Sequence, residues 1–353
     1  MSIKNIFSLA ASIIKLFIVI FLLSTNSKAE DNNFKQYSGD EGVLSIMYHR
    51  FDENKYPSTN IRMEFFLKHV QLINSLNYEF IHPNEFKKKF DTPKKQKKIL
   101  LTIDDGFQSF YEVAWPFLKK NEIPFILFIS TEPVGNKGYM NWDQIKEIEK
   151  ESFAVIGHHS HTHEYLIEKS NEEFINDIET ASSIFKNKLG YVPDLFSYPF
   201  GEYSEFMRNY ISNNFTFAFG QHSGVIDLNK EKFQLPRFPI NENYGEMKRF
   251  KSIIKTYPLE YKNLNPIEKK LNNQKNPPDF SVEFFNNQKN IKNISCYSNE
   301  GDVWEKSDIK FNNDILTITF REPFVPRRGR VNCSLNDEGK WRWFGTQFII
   351  SKN

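Results

Sequence analysis

Asp104 and Asp105 stand side by side at the end of an apolar run, residues 99–103, and Gly106 follows them. The run reads as a buried strand and the glycine as a sharp exit from it. Two adjacent carboxylates at a strand end repel each other. A metal, an arginine or a shared proton must offset that repulsion. A second apolar run, 153–156, enters Gly157-His-His-Ser-His-Thr-His163, which holds four of the chain's eight histidines. Carboxylates and neutral imidazoles together suit a divalent transition metal, zinc foremost. A solvated turn would explain an isolated Asp-Asp-Gly, and a scavenging tract an isolated histidine run. The placement of both motifs directly after apolar strands, deep inside the chain, favours a site.

The elements that must position these residues alternate over 42 to about 260. Strands are expected at 43–47, 79–81, 99–103, 125–129, 153–156, 195–198 and 215–219, with helices between them that include 63–76, 109–120, 142–150 and 171–189. Ser170 and Glu173 form a capping box at the start of the last helix and Gly190 stops it. Repeated strand–helix units imply a parallel sheet, open or closed into a barrel, with its chemistry where the strands end. After Tyr261 the composition shifts. Residues 263–278 are rich in Asn, Lys and Pro and read as a linker. Short strands with turn signals then predict a small β-sandwich over 279–353, stapled by Cys296 and Cys333.

With the motifs in view, Thr102-Ile-Asp-Asp-Gly106 resembles the Thr-Phe-Asp-Asp-Gly motif of polysaccharide deacetylases, the NodB-homology family of metal-dependent carbohydrate esterases. The histidine segment is similar to that family's second motif in a shorter form. Val43-Leu-Ser-Ile-Met-Tyr-His49 resembles its opening strand, Leu195-Phe-Ser-Tyr-Pro-Phe-Gly201 its third motif and Leu235-Pro-Arg-Phe238 a later one. The resemblance spans roughly 42 to 260. It implies an α/β fold, an irregular (β/α) TIM-like deacetylase barrel over 30–262, followed by the small all-β domain.

The resemblance also implies roles. Asp105, His159 and His163 become the ligands of a divalent metal, expected to be Zn2+, and Asp104 the general base. The backbone N–H near Phe200 becomes an oxyanion donor. Two departures stand out. The family's third motif begins with an arginine that pairs with the catalytic aspartate; here that place is Ser197, and Arg237 is the expected replacement. The family's late histidine, its general acid, is missing after residue 240. His222 is expected to protonate the leaving amine, with His49 next in line. His49 is otherwise expected to line the floor, His161 to lie outside the ligand set and His158 to bond the adjacent loop.

Lys4 and Lys15 accompany an apolar stretch at 16–23, and Ser27-Lys28-Ala29 offers a cleavage site, so residues 1–29 are expected as a signal peptide. Its removal lowers the formal charge from +2 to −1. An uncleaved membrane anchor is the alternative. The expected location is therefore exported, periplasmic or extracellular, where a disulfide persists. The low net charge and lack of a long basic block exclude nucleic acid as a partner. The expected function is hydrolysis of N-acetyl groups from N-acetylhexosamine residues of an envelope or extracellular polysaccharide. The alternatives are an O-acetyl esterase or other small-amide hydrolase on the same site, or a catalytically silent glycan-binding protein. The cations Arg327, Arg328 and Arg330 beside Trp304, Trp341 and Trp343 suit either sugar recognition or a solvated loop.

Overall fold

The computed structural model describes residues 42–89, 97–228, 230–286, 288, 290–325 and 327–351. The expected signal peptide lies outside the described residues. Strands β1 (Gly42–Tyr48), β2 (Lys98–Ile103), β3 (Phe125–Ile129), β4 (Ala154–His158), β5 (Leu195–Ser197) and β6 (Phe217–Phe219) lie side by side in that order, all parallel. Helices Met63–Ser75, Trp115–Lys120, Trp142–Glu149, Asn171–Leu189 and Glu205–Asn214 connect them. The capping box of Ser170 with Glu173 opens the long fourth helix, and Gly190 ends it at φ 87°.

β2 and β3 bury every residue, as a sheet covered on both faces requires. Side chains alternate between those faces. Leu100, Phe128, Leu195, Phe217 and Phe219 meet one another and Leu235 on the inner face. Leu101, Leu127 and Ile156 turn outward to pack with Phe110, Trp115 and Phe185 of the helical layer. The same alternation carries inner-face parity through Thr102 to Asp104, through Val155 to His159 and through Val43 to His49.

The sheet curls, and a short segment joins its two ends. Leu235 bridges Phe219 of β6, while β7 (Phe238–Pro239) pairs in parallel with β1 through Ile46–Phe238 and Met47–Pro239. This irregular closure completes the (β/α) barrel anticipated from the sequence. It also brings Arg237, between the two pairings, into the barrel interior, where it is fully buried.

The C-terminal region is a sandwich of two antiparallel-rich sheets. One is built around strands Ser295–Ser298, Arg328–Asp337 and Lys340–Ile350; the other around Phe280–Glu283, Ile315–Thr319 and Asp308–Asn312. Phe280, Val282, Leu316 and Ile318 of one sheet bury against Val331, Leu335, Phe344 and Phe348 of the other. Cys296 and Cys333 face each other in register and form a disulfide.

The stretch expected as a linker differs from a free tether. Asn263–Asn265 pairs with Phe280–Glu283, and Lys270–Leu271 pairs with the last strand. These are short polar segments with one well-buried apolar residue, Leu271, so composition alone does not mark them as strands. The sandwich is also tied to the barrel. Tyr257–Pro258 pairs with Arg342 and Trp343, and Trp343 meets Phe238 edge-on at 5.7 Å. Glu202, after β5, accepts from both Arg327 and Arg328.

The disulfide joins positions 37 residues apart, so its loss frees a long loop in the unfolded chain. Cys296→Ala with Cys333→Ala is expected to lower stability by about 3–4 kcal/mol. Urea unfolding followed by tryptophan fluorescence checks this, and an unchanged midpoint contradicts it.

Candidate metal centre

The first motif leaves β2 through a backbone reversal that few residues tolerate. Asp105 has φ 75° and Gly106 φ 74°. Aspartate enters this left-handed region more readily than most residues. Gly106 is required on a second count, because a Cβ there would lie 2.6 Å from Ile129 Cδ1. The second motif behaves alike. Gly157 leaves room for the Phe128 ring, which a Cβ would meet at 2.3 Å. Beyond it Ser160 (φ 72°) and His163 (φ 54°) are left-handed as well. Such strain persists only where neighbours hold it. Here Asp177 does so: it accepts from the His161 N–H at 2.8 Å, the Thr162 N–H at 3.0 Å and the Thr162 hydroxyl at 2.7 Å.

These turns converge three side chains. Asp105 Oδ1 lies 3.2 Å from His159 Nε2 and 3.1 Å from His163 Nε2. One ligand atom from each of the three residues falls within 4.8 Å of the others. His159 Nδ1 sits 2.6 Å from the Ser197 carbonyl, which can only accept, so Nδ1 carries the proton and Nε2 presents a lone pair. Asp105 Oδ1 and His159 Nε2 are buried and have no hydrogen-bond partner. Two acceptors facing each other in a dry site call for a cation between them, and the donor set of one carboxylate and two imidazoles fits a divalent metal. Burial opposes the charge of Asp105, yet His163 and His159 hold its carboxyl well below the usual range. His163 is shifted upward: burial opposes its charge, but Asp105 outweighs it.

Asp104 is fully buried beside this trio, with Oδ2 3.8 Å from His159 Nε2. Arg237 grips it with both ends of its fork, Nη1 to Oδ1 at 2.7 Å and Nη2 to Oδ2 at 2.8 Å. The remaining guanidinium donors reach the Gly220 carbonyl, the Thr102 hydroxyl and the Ser197 hydroxyl. Ser197 in turn donates to Asp104 Oδ2 at 3.3 Å. Burial works to raise the Asp104 pKa, but Arg237 and His159 leave it below the ordinary carboxylate value. Arg237 thus comes from the closing segment to meet Asp104, and the small Ser197 shares the pair's hydrogen bonds.

His222 requires a correction. It does not join the cleft above the trio; it lines a separate cavity of about 270 Å³ with Arg208, Lys230 and Lys269. The chain folds back tightly after β6. A Cβ at Gly220 would lie 2.8 Å from His222 Nδ1, and the His222 carbonyl accepts from the Arg237 N–H. Burial, with Lys269 and Arg237 nearby, pushes its imidazole down to about 3, so it is neutral at ordinary pH. Besides His163 of the trio, the histidine that reaches the cleft is His49, directly after β1. Tyr48 pairs with Ile103, so His49 and Asp104 follow neighbouring strand ends. Its Nδ1 is buried without a partner. Burial lowers its pKa against the pull of Asp105 and Asp104. Phe200 lines the same cleft at φ 58°, its ring 4.2 Å from Tyr165 and 4.7 Å from His163. His158 faces outward among Phe185, Phe196 and Phe215, its pKa lowered by burial to about 3, and accepts from the Ser160 N–H. His161 bonds Thr131 away from the trio.

Comparison with known proteins adds to this geometry. Residues 91–216 match the family model described as polysaccharide deacetylase. A poly-β-1,6-N-acetyl-D-glucosamine N-deacetylase of Staphylococcus aureus is 23% identical over 252 residues, covering 62% of this chain and 86% of that protein. YxkH of Bacillus subtilis is 25% identical over 162 residues, 45% of this chain; the matched stretch spans 57% of that relative's length. Among solved structures, IcaB from Ammonifex degensii shares the fold with a TM-score of 0.55 at 23% identity, covering 61% of this chain and 97% of that one. The Streptococcus pyogenes deacetylase PplD, solved with acetate, gives 0.55 at 20% identity over 60% of this chain and 98% of its own.

The ligand set makes a prediction independent of any substrate. His159→Ala and His163→Ala are expected to lose stoichiometric zinc while staying folded, because both lie on the loop after β4, outside any strand or helix. Asp104→Asn is expected to retain it. Metal analysis after dialysis, with circular dichroism, reads both. Equal zinc loss in all three variants contradicts the assignment.

Proposed function

We propose that this chain, which carries a polysaccharide deacetylase domain, is a metal-dependent hydrolase that removes N-acetyl groups from N-acetylhexosamine residues of an exported polysaccharide. The observation that carries this reading is the juxtaposition of the metal trio with a buried carboxylate held ionised by Arg237, next to a cleft of about 510 Å³ that Asp105 and His163 line. The staphylococcal relative, matched over 86% of its length, is named for N-deacetylation of such a polymer.

Asp105, His159 and His163 hold the metal, preferentially zinc, which when bound supplies Lewis acidity toward water and a carbonyl oxygen. The chain's own residues do the rest. Asp104 accepts the proton of the attacking water, and Arg237 fixes the carboxylate's orientation and charge while it does so. The backbone N–H of Phe200, on its left-handed turn at the cleft wall, faces the developing oxyanion. His49 relays the proton taken up by Asp104 to the departing nitrogen as the carbon–nitrogen bond breaks, leaving acetate and a free amine on the sugar. Ser197 and Thr102 hold the arginine in place. The lysine-flanked apolar N-terminus and the disulfide support export into an oxidising compartment. Among the described residues no helix is long and apolar enough to cross a membrane.

Acetate release from N-acetylhexosamine oligomers by the zinc-loaded protein tests the reading, with O-acetylated xylan as the contrast. Release from the ester alone makes the protein an esterase and overturns the N-deacetylase assignment. Asp104→Asn is expected to lower kcat by about 100-fold or more with the metal retained. His49→Ala is expected to damage acetamide hydrolysis far more than hydrolysis of an activated acetate ester, because only the amine leaving group needs a proton. Equal losses on both substrates remove His49 as the acid.

A further inference from the structure

The cleft above the metal trio has two walls, and the second belongs to the sandwich. Arg328, Arg330 and Trp304 line it there, together with Asp105 and His163 of the barrel and with Arg249 on the helix Met247–Ile253, whose Phe250 and Ile253 pack into the barrel core. Arg328 and Arg330 share one side of their strand, because side chains two residues apart face the same way. Trp304 exposes 45% of its surface.

The charge balance of this cleft is one-sided. Three arginines line it, and the one carboxylate among its lining residues is Asp105, a member of the metal trio. Arg328 shares Glu202 with Arg327: Glu202 Oε1 lies 2.8 Å from Arg328 Nε and 3.0 Å from Arg327 Nε, and its Oε2 takes Arg327 Nη2 at 2.6 Å. Arg327 also pairs with Glu168 through its Nη1, so these two guanidinium groups have two carboxylates between them and the unmatched charge of the cleft rests on Arg330 and Arg249. Arg249 gives one end of its fork, Nη1, to the carbonyls of Tyr244 and Pro239. Arg330 contributes its backbone N–H to Asn299, and its guanidinium makes no ion pair among the described residues. Burial and the neighbouring Arg328 lower the Arg330 pKa, and burial lowers that of Arg249 to about 10. Glu202 and Asp302 act on Arg330 only through space, and a half-buried cation without a paired carboxylate costs stability. Its presence at the mouth of a catalytic cleft is explained by a ligand that brings the missing charge. Arginine's planar fork suits carboxylate and phosphate oxygens, and an exposed indole beside it suits the apolar face of a sugar ring.

We propose that the β-sandwich supplies a glycan subsite in which Arg330, with Arg328 and Arg249, binds an anionic substituent of the polymer, a carboxylate or a phosphate, on a sugar near the one whose acetamide is cleaved. This rests on the N-deacetylase reading of the trio and narrows it: the polymer is acidic rather than a neutral homopolymer. Trp304 forms the stacking platform of the same subsite. The barrel supplies the chemistry and the sandwich selects the chain.

Binding to the zinc-loaded full-length protein tests the proposal by calorimetry with three size-matched probes. These are a neutral N-acetylglucosamine oligomer, an oligomer alternating N-acetylglucosamine with glucuronic acid, and an N-acetylglucosamine oligomer bearing phosphate monoesters. One or both acidic oligomers are expected to bind about tenfold more tightly than the neutral one. Whichever does so identifies the anion. The preference is expected to shrink in about 0.5 M salt. Arg330→Gln is expected to reduce it to within about twofold, and Arg330→Lys to keep part of it. Equal affinities for all three probes, no binding of any, or a preference that survives Arg330→Gln overturns the subsite. Acetate release from the same probes separates the two claims. Selective binding without release refutes the deacetylase and leaves the subsite standing. Release without preference in binding refutes the subsite and leaves the deacetylase.

Discussion

The ion pair between Arg237 and Asp104 is the contact on which the barrel's closure and its chemistry both depend. Both side chains are fully buried. Taking two such charges out of water costs several kcal/mol per ion, and their attraction offsets this only when the geometry is close and the other donors are satisfied. Here both conditions hold. The fork is bidentate, and Gly220, Thr102 and Ser197 take up the remaining donors. Those partners come from β2, β5 and the turn after β6, while Arg237 itself lies on the segment that joins β6 to β1. One side chain therefore fastens the closing seam to the opposite strands. It also fixes a negative charge beside the trio of Asp105, His159 and His163, where unassisted burial would favour a neutral acid.

Alternation along the strands explains why the site is legible in part. Asp104 continues the inner face of β2 and His159 that of β4, so an apolar strand ending in a reactive residue marks both. Gly106 and Gly157 mark the tight exits. The long helix is readable to the residue because its capping box and terminal glycine are local signals. Closure is not local. The segment 235–239 makes a single bridge on one side and two pairs on the other, too short for any periodicity. For the same reason the sequence placed His222 ahead of His49, and no local signal corrects that order. Both follow apolar strands, but only the adjacency of β1 to β2 places His49 beside Asp104. The polar stretch 263–278 reads as a tether because its strands gain their partners from chain far away in sequence.

The sandwich changes meaning once it is seen against the barrel. Its cationic strand begins Arg328-Gly-Arg330, and Gly329 leaves room for the Phe324 ring, which a Cβ would meet at 2.4 Å. That packing turns Gly329 inward and leaves both arginines on the cleft side. Glu202, buried at 2% exposure, anchors the start of the same strand to the turn that carries Phe200. In the proposed reading, the wall that faces the substrate is thus built from a domain that holds neither the Asp105, His159 and His163 trio nor Asp104 and His49. On that same reading chemistry and selection are divided between two cores, coupled by Glu202 and Glu168, which pair with Arg327 and Arg328, and by the pairing of Tyr257–Pro258 with the last strand.

The most direct measurement of the central claim is the pH dependence of acetate release by Arg237→Lys, with metal content determined on the same samples. Lysine keeps a positive charge but gives up the bidentate grip. Arg237 depresses the Asp104 pKa, so the ionised base of the native protein persists to low pH. With the grip loosened, the Asp104 pKa rises toward its ordinary value and the ionised form is lost at a higher pH. The account predicts an acidic limb displaced to higher pH, a reduced kcat and unchanged zinc stoichiometry. A profile that superimposes on the native one, at equal metal content, would contradict it.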